Sequence, residues 1–245
     1  MNITIDNLTK SFGDKKALNI GHYAIHSGEI IGLVGNNGAG KTTLFRTILD
    51  LLHPDSGSII IDGDVDGQHV SYDPTKCEDW KAVTGAFVDS GFLIDYLTPE
   101  EYFRFIAKIS GISDEVMNDR LLKFDNFMNG EVLGQKTLIR NLSMGNKQKV
   151  GIIGAMIHNP KLLILDEPFN FLDPSSQVAM KYLLEMYNKE FGATIIVSSH
   201  NLTHTIEICS RVTLLEQGEI IKDYDKDYAE LTSEIEEYFN GNASI

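Results

Sequence analysis

The chain has 245 residues, of which 42% are hydrophobic and 23% charged, proportions typical of an ordinary globular protein. Its formal net charge of −14 argues against a broad nucleic-acid surface, which needs clusters of Lys and Arg, and no nucleic-acid partner is expected. No apolar run approaches the roughly 18 residues of a transmembrane helix, the first residues lack the layout of a signal peptide, and a cytoplasmic chain is expected.

The N-terminal part of the sequence predicts two strands, then a strand, a loop and a helix. Apolar and polar residues alternate over residues 3–8, and a second strand is expected after the turn signal Gly13-Asp14. Residues 30–34 form a short apolar run, typical of a buried parallel strand. Apolar residues then recur at helical spacing over 41–52, which predicts a helix that Pro54 ends.

The middle of the chain predicts mainly helices. Residues 58–61 indicate a strand, and a turn-rich stretch is expected over 62–73. From residue 99 to about residue 158 the sequence favours helix and lacks strong strand runs. We therefore expect a helical subdomain inserted at about residues 92–158.

The last hundred residues return to alternating strands and helices. Residues 162–165 and 194–197 are apolar runs that predict buried strands, and residues 178–189 predict a helix between them. This alternation predicts an open, mostly parallel α/β sheet. We expect one domain over residues 1–222 and an acidic, weakly periodic tail over 223–245, more like an appended helix than a catalytic element.

The strongest motif lies between the predicted strand at 30–34 and the helix that follows it. Its sequence, GNNGAGKT, matches the P-loop pattern GxxxxGK(S/T) in the context that this pattern needs, which favours a phosphate site over an ordinary glycine-rich turn. Lys41 is expected to reach the β- and γ-phosphates, and the Thr42 hydroxyl to bind Mg²⁺. The predicted nucleotide-binding residues are Gly35, Asn36, Asn37, Gly38, Ala39, Gly40, Lys41, Thr42 and Thr43.

Two adjacent carboxylates end the apolar strand at 162–165. Neighbouring residues of a strand face opposite ways, so Asp166 and Glu167 can have different roles. Asp166 is predicted to face the metal and Glu167 to polarise an attacking water. Paired acids often merely end a strand, and these two motifs together still leave open many phosphate-handling families, including small-molecule kinases.

Four further segments narrow the choice. Residues 142–148, LSMGNKQ, resemble the LSGGQ signature of ATP-binding-cassette (ABC) proteins, and residues 170–173, NFLD, resemble their D-loop. His200 resembles the switch histidine, and Phe12 occupies the place of the adenine-stacking aromatic. From residue 3 to about residue 222, the sequence is therefore similar to the ATPase subunits of ABC transporters. The resemblance implies a P-loop NTPase (RecA-like) core with an N-terminal antiparallel β region.

The resemblance also assigns roles that the residues alone leave open. Ser143 and Gly145 are expected to bind the γ-phosphate held by a partner cassette, although LSxG is by itself a common helix cap. His200 is expected to donate a hydrogen bond to the γ-phosphate, although a lone histidine after a strand is more often structural. Phe12 is expected to stack on adenine, although a lone aromatic is more often a core residue.

Two departures from the family pattern stand out. Met144 and Asn146 replace the usual glycine and glutamine of the signature, which resembles drug- and peptide-antibiotic-type exporters. Asp89 occupies the Q-loop position, where the family usually has glutamine and relatives of the bacitracin and lantibiotic self-protection exporters often have glutamate. Asp89 is therefore expected to act in catalysis and as a Mg²⁺ ligand.

The resemblance implies ATP and Mg²⁺ as cofactors, a second ABC ATPase subunit as partner, and a polytopic membrane permease. The chain is then expected to lie on the inner face of the cell membrane and to power an exporter. The alternatives are a soluble ABC protein of iron-sulfur assembly or DNA repair, a metabolic kinase and a nucleotide sensor. LSMGN argues against the kinase, and Glu167 argues against the sensor.

Overall fold

The computed structural model describes residues 1–134, 136–200, 205 and 207–225. These residues form two β-sheets and six α-helices. The strands are β1 (Asn2–Phe12), β2 (Lys15–Ile25), β3 (Ile30–Val34), β4 (Ser56–Val65), β5 (Gln68–Tyr72), β6 (Thr84–Phe87), β7 (Leu162–Leu165), β8 (Thr194–Ser199), β9 (Arg211–Glu216) and β10 (Glu219–Asp225). The helices are α1 (Lys41–Ile48), α2 (Pro99–Ile109), α3 (Asp114–Leu122), α4 (Asp125–Met128), α5 (Met144–Met156) and α6 (Pro174–Phe191).

The N-terminal sheet is antiparallel and has the strand order β2-β1-β4-β5, which confirms the predicted antiparallel region. The expectation of a turn-rich stretch over residues 62–73 was wrong, because most of it belongs to the hairpin of β4 and β5. The turn is confined to Asp66 and Gly67, whose φ angles are 51° and 79°. An Asp-Gly pair with positive φ at both positions is a strong signal for a two-residue hairpin turn.

The second sheet has the order β10-β9-β3-β8-β7-β6, and all its neighbouring strands are parallel except the β10-β9 pair. Every residue of β3, β7 and β8 is buried, as expected for strands covered on both faces. The carboxyl ends of β3, β6, β7 and β8 meet at one edge. The P-loop, Asp89, Asp166 and His200 all follow these strands, so the topology gathers them there.

Helices α2 to α5 lie between β6 and β7 and form the predicted helical segment. Thr98 begins α2 with a capping box, in which its hydroxyl accepts from the backbone N–H of Glu101 and the Glu101 carboxylate accepts from the N–H of Thr98. Asp173 caps α6 through the N–H groups of Ser175 and Ser176. No helix among the described residues is long and apolar enough to cross a membrane.

Two element ends differ from the sequence-based expectation. Helix α1 ends at Ile48 rather than near residue 52, because Asp50 takes a left-handed conformation with φ of 51°. The predicted domain boundary at residue 222 falls inside β10, which pairs with β9 up to Asp225. Asp223 in β10 accepts hydrogen bonds from Arg211 and Thr213 of β9, so the expected C-terminal helix does not begin at residue 222. Residues 226–245 lie outside the described residues.

Candidate functional site

The loop between β3 and α1 folds around the ammonium group of Lys41. This side chain is buried, and its Nζ donates a hydrogen bond of 2.6 Å to the carbonyl oxygen of Gly35. Gly40 has φ of 114°, and a Cβ there would lie 2.7 Å from the carbonyl oxygen of Ala17, so only glycine fits this position. The loop is thus tightly packed at the start of α1, where backbone N–H groups can bind phosphate oxygens.

A cavity of about 290 Å³ opens beside this loop. It is lined by residues 36–43 together with Phe12, Lys15, Ala17 and Glu167. Phe12 is 53% exposed rather than a core residue, so its ring is available to a ligand in the cavity. The sequence reasoning missed Lys15, although the two-residue turn Gly13-Asp14 places it opposite Phe12 in the β1-β2 register.

Asp166 lies at the end of β7, where two hydroxyl groups hold its carboxylate. Thr42 Oγ1 donates to Asp166 Oδ2 at 2.5 Å, and Ser198 Oγ donates to Asp166 Oδ1. Burial raises the pKa of this carboxyl above its ordinary value, and the two hydroxyl bonds oppose that shift. The carboxylate is therefore costly to keep charged without a cation, a property that suits a group facing a metal.

Glu167 is held by contacts to both its backbone and its side chain. Its φ of 48° is unusual for a non-glycine residue, and such strain is common at functional sites. The backbone N–H donates to Ser198 Oγ at 2.8 Å, and the carbonyl oxygen accepts from Gln148 Nε2 at 3.1 Å. One carboxylate oxygen lies 2.8 Å from His200 Nδ1, and the other lies 3.5 Å from Lys41 Nζ. The predicted base Glu167 thus lies in contact with both His200 and Lys41.

Ser198 and Gln148 were not among the predicted site residues. The buried Ser198 hydroxyl bonds both acids of the strand end, donating to Asp166 and accepting from the N–H of Glu167. The sequence did contain a signal for Ser198, because this residue directly follows the apolar run 194–197. That run is a strand that ends at the same edge of the sheet as the strand before Asp166. Gln148 carries no such signal, since only the packing of α5 brings it to Glu167.

Asp89 follows β6 and lines a second cavity, of about 170 Å³, together with Asp166 and Glu167. Its Oδ1 accepts a hydrogen bond of 2.7 Å from the N–H of Gly91, and its Oδ2 lies 3.8 Å from an Arg46 guanidinium nitrogen. The structure thus brings the predicted Q-loop residue to the two acids at the end of β7.

Ser143 and Gly145 lie at the start of α5, away from the P-loop cavity. The Ser143 hydroxyl accepts a hydrogen bond of 3.2 Å from the N–H of Asn146, so it caps the helix. A Cβ on Gly145 would lie 2.7 Å from the carbonyl oxygen of Phe171, so this helix start is packed against the segment after β7. Neither Ser143 nor Gly145 is among the described residues that line the P-loop cavity.

Comparison with known proteins agrees with this arrangement. Residues 18–170, more than half of the chain, match the family model described as "ABC transporter". The chain belongs to the ABC transporter family. It is 33% identical over 226 residues to a bacitracin transport ATP-binding protein of Bacillus licheniformis, covering 92% of this chain and 70% of that protein. It is 32% identical over 230 residues to a methionine import ATP-binding protein of Oceanobacillus iheyensis, covering 92% of this chain and 66% of that protein.

Solved structures give the same fold. The ATP-binding subunit of an ABC transporter superposes with a TM-score of 0.79 at 26% identity, covering 96% of this chain and 94% of that one. A dimeric bacterial ABC transporter cassette superposes with a TM-score of 0.77 at 24% identity, covering 91% of this chain and 98% of that one. The P-loop NTPase fold predicted from the sequence is confirmed, and the chain is an ATP-binding and ATP-hydrolysing subunit of the ABC transporter family.

The oxygen ligands present at the ABC site fit Mg²⁺. Thr42 supplies a hydroxyl, and Asp166 and Asp89 supply carboxylates, which are the hard donors that this ion prefers. Within the described part of the chain, no three His, Cys, Asp or Glu side chains are grouped closely enough to hold a metal by themselves. This is compatible with Mg²⁺, which usually keeps several waters and takes further oxygens from substrate phosphates.

Proposed function

We propose that this ABC cassette works in pairs, with each ATP bound between two subunits. In each site, the P-loop (residues 35–43) and Phe12 of one subunit bind the nucleotide, and Ser143 and Gly145 of the other subunit bind its γ-phosphate. The observation that carries this proposal is that Ser143 is exposed at the start of α5 yet does not line the P-loop cavity of its own chain. Its hydroxyl is therefore accessible to a nucleotide held by another subunit.

Within the site, Phe12 stacks on adenine and Lys41 neutralises charge on the β- and γ-phosphates. Mg²⁺, when bound, supplies further charge neutralisation on the phosphates, and Thr42, Asp166 and Asp89 are the residues that hold it. Glu167 accepts a hydrogen bond from the attacking water and takes up its proton. His200 Nδ1 lies 2.8 Å from the Glu167 carboxylate, and the N–H of the ring is free to donate toward the γ-phosphate when nucleotide displaces that contact.

The cassette drives a polytopic permease from the inner face of the membrane, where closure and reopening of the pair move the permease. The family membership supports this arrangement, as do relatives that are named as transport proteins. The soluble iron-sulfur assembly alternative has no such support among these relatives. We favour export of a peptide antibiotic, because the Met144, Asn146 and Asp89 departures resemble exporters of this type.

The direction of transport can be tested with the cassette and its permease in a bacitracin-sensitive host. Export predicts that cells with the unmodified chain survive higher bacitracin concentrations than cells with the Glu167→Gln chain. Equal sensitivity would count against export of bacitracin, and ATP-dependent methionine uptake would count against export itself. The 32% identity to an importer makes this experiment necessary, because overall similarity does not separate the two directions.

The shared site is tested by mixing two variants that are each expected to be nearly inactive alone. Ser143→Arg blocks the γ-phosphate donors, and Lys41→Ala removes the phosphate-binding lysine. In a mixed pair, one site keeps an intact Lys41 and an intact Ser143, while the other site carries both lesions. ATPase activity should therefore recover in part on mixing, and the specific activity of the unmodified chain should rise with its concentration.

Ser113→Arg is a matched control for this experiment. Ser113 is also an exposed N-cap serine, and it accepts a hydrogen bond from the N–H of Val116 at the start of α3. This variant places the same bulky charge on a helix cap outside the proposed shared site, so its ATPase activity should remain near normal. A similar loss in Ser113→Arg would attribute the Ser143→Arg defect to disruption of a helix cap. Concentration-independent activity of the unmodified chain, together with no recovery in the mixture of Ser143→Arg and Lys41→Ala, would mean that each chain works alone.

A further inference from the structure

Arg46 on α1 contacts Asp89 but has no place in the roles proposed above. A guanidinium nitrogen of Arg46 lies 3.8 Å from Asp89 Oδ2, and the two side chains are 41% and 50% exposed. Asp89 Oδ1 meanwhile accepts the N–H of Gly91 at 2.7 Å. A long, half-exposed ion pair of this kind is weak. It can therefore be exchanged for another partner at little cost.

Arg46 lies on the same face of α1 as Thr42, one of the proposed Mg²⁺ ligands. Arg46 follows Thr42 by four residues, so both project from the same face of α1. The Thr42 hydroxyl bonds Asp166, and Asp89 lines the same 170 Å³ cavity as Asp166 and Glu167. Asp89 thus contacts a cation of its own chain and lines the same cavity as the acid that is expected to face the metal.

The charges around this cavity explain why such a cation is useful. Three carboxylates in one cavity repel one another, and Lys41 pairs with Glu167 at 3.5 Å and also attracts Asp166. Arg46 offers Asp89 a separate counter-charge. The Nε atom of Arg46 is buried and has no hydrogen-bond partner among the described residues, so no bond at this atom fixes the guanidinium.

We propose that Arg46 is a positioning residue that competes with Mg²⁺ for the carboxylate of Asp89. In the nucleotide-free subunit it holds Asp89 toward α1, and Asp89 exchanges Arg46 for the metal when the metal–nucleotide complex binds. Arg46 thereby lowers the affinity for the divalent cation and raises the Mg²⁺ concentration that the site needs. The inference rests on the proposed metal-binding role of Asp89.

The test measures metal binding without turnover. Mn²⁺ replaces Mg²⁺ as the probe, a non-hydrolysable ATP analogue fills the site, and electron paramagnetic resonance reports the free Mn²⁺. Arg46→Gln should tighten Mn²⁺ binding about two- to fivefold, the range expected from an exposed ion pair. Arg46→Lys, which keeps the charge, should fall between Arg46→Gln and the unmodified chain.

A double-mutant cycle separates a contact with Asp89 from a general effect of charge. Asp89→Asn alone should weaken Mn²⁺ binding, and Arg46→Gln should then have no further effect in the Asp89→Asn chain. Arg104→Gln is the matched control, because Arg104 forms a similar half-exposed pair, 3.6 Å from Asp114, and does not line the cavity. It should leave Mn²⁺ binding unchanged.

The outcomes are distinct. If Arg46→Gln tightens binding equally with and without Asp89, the effect is long-range electrostatics and the competition is refuted. If Arg46→Gln weakens or does not change binding while Asp89→Asn weakens it, the competition is refuted and the metal role of Asp89 stands. If Asp89→Asn leaves Mn²⁺ binding unchanged, the proposed role of Asp89 fails, and the inference about Arg46 fails with it.

Discussion

Ser198 is the side chain whose removal should reveal how the two acids of the ABC site are held. Its buried hydroxyl donates to Asp166 Oδ1 and accepts the N–H of Glu167 at 2.8 Å. Ser198→Ala deletes one atom and both bonds. We expect this variant to lose both stability and hydrolysis.

The magnitude follows from the two bonds. A hydrogen bond to a charged group contributes about 1.5–3 kcal/mol, and a buried N–H left without a partner costs about 1–3 kcal/mol. Together they predict a loss of about 2.5–6 kcal/mol, or roughly 5–24 °C in Tm for a domain of this size. Because Glu167 is held at φ of 48° by this bond and by Gln148, its carboxylate should shift, and a small misplacement can lower kcat by about ten- to a hundredfold.

The assay compares Ser198→Ala with Ser210→Ala by thermal unfolding and by ATPase rates at a temperature well below both transitions. Ser210 also forms two hydrogen bonds, from the N–H of Ile30 and to its carbonyl oxygen, both at 3.1 Å, but it contacts neither acid. Ser210→Ala should therefore lose stability and keep its kcat. An unchanged kcat in Ser198→Ala, or an equal fall in both variants, would refute the reasoning.

Two further outcomes are expected. Glu167→Gln should bind ATP normally and lose about 10²- to 10⁴-fold in hydrolysis, because the glutamine keeps the size of the side chain but not its basicity. ATP affinity and turnover measured on the same sample check this prediction. Near-normal turnover would exclude Glu167 as the base. Burial, and to a smaller extent the charge of Arg120, lowers the pKa of His158 below its ordinary value of 6.5. The neutral ring therefore favours the folded state, and this stability is present above pH 6.5 and is lost as the pH falls through the folded-state pKa. When the pH is lowered from 7.5 to 5, the urea midpoint of unfolding should fall less in His158→Gln than in the unmodified chain. An identical fall in both chains would show that another group controls stability over this pH range.

The elements that the sequence predicted correctly are those whose cause is local. The P-loop needs a strand, a glycine that tolerates φ of 114° at Gly40, and a helix start, all within about fifteen residues. The caps of α2, α5 and α6 are also local, because each capping residue bonds N–H groups two or three residues away, although only the cap at Ser143 was considered from the sequence. Where a turn was mistaken for a longer loop, as over residues 62–73, the Asp66-Gly67 signal was present but the cross-strand pairing that extends β4 and β5 was not visible.

The contacts that make the site depend on strands and helices far apart in sequence. Ser198 reaches Asp166 across 32 residues because β8 lies beside β7, and Thr42 reaches Asp166 across 124. Arg46 meets Asp89 only because α1 and the end of β6 lie at the same edge of the sheet. The sequence alone could therefore predict which residues are candidates for the phosphate chemistry, since each motif is a local backbone conformation. Only the tertiary structure decided which side chains contact these residues, because strand order is set by packing of the whole sheet rather than by neighbours along the chain.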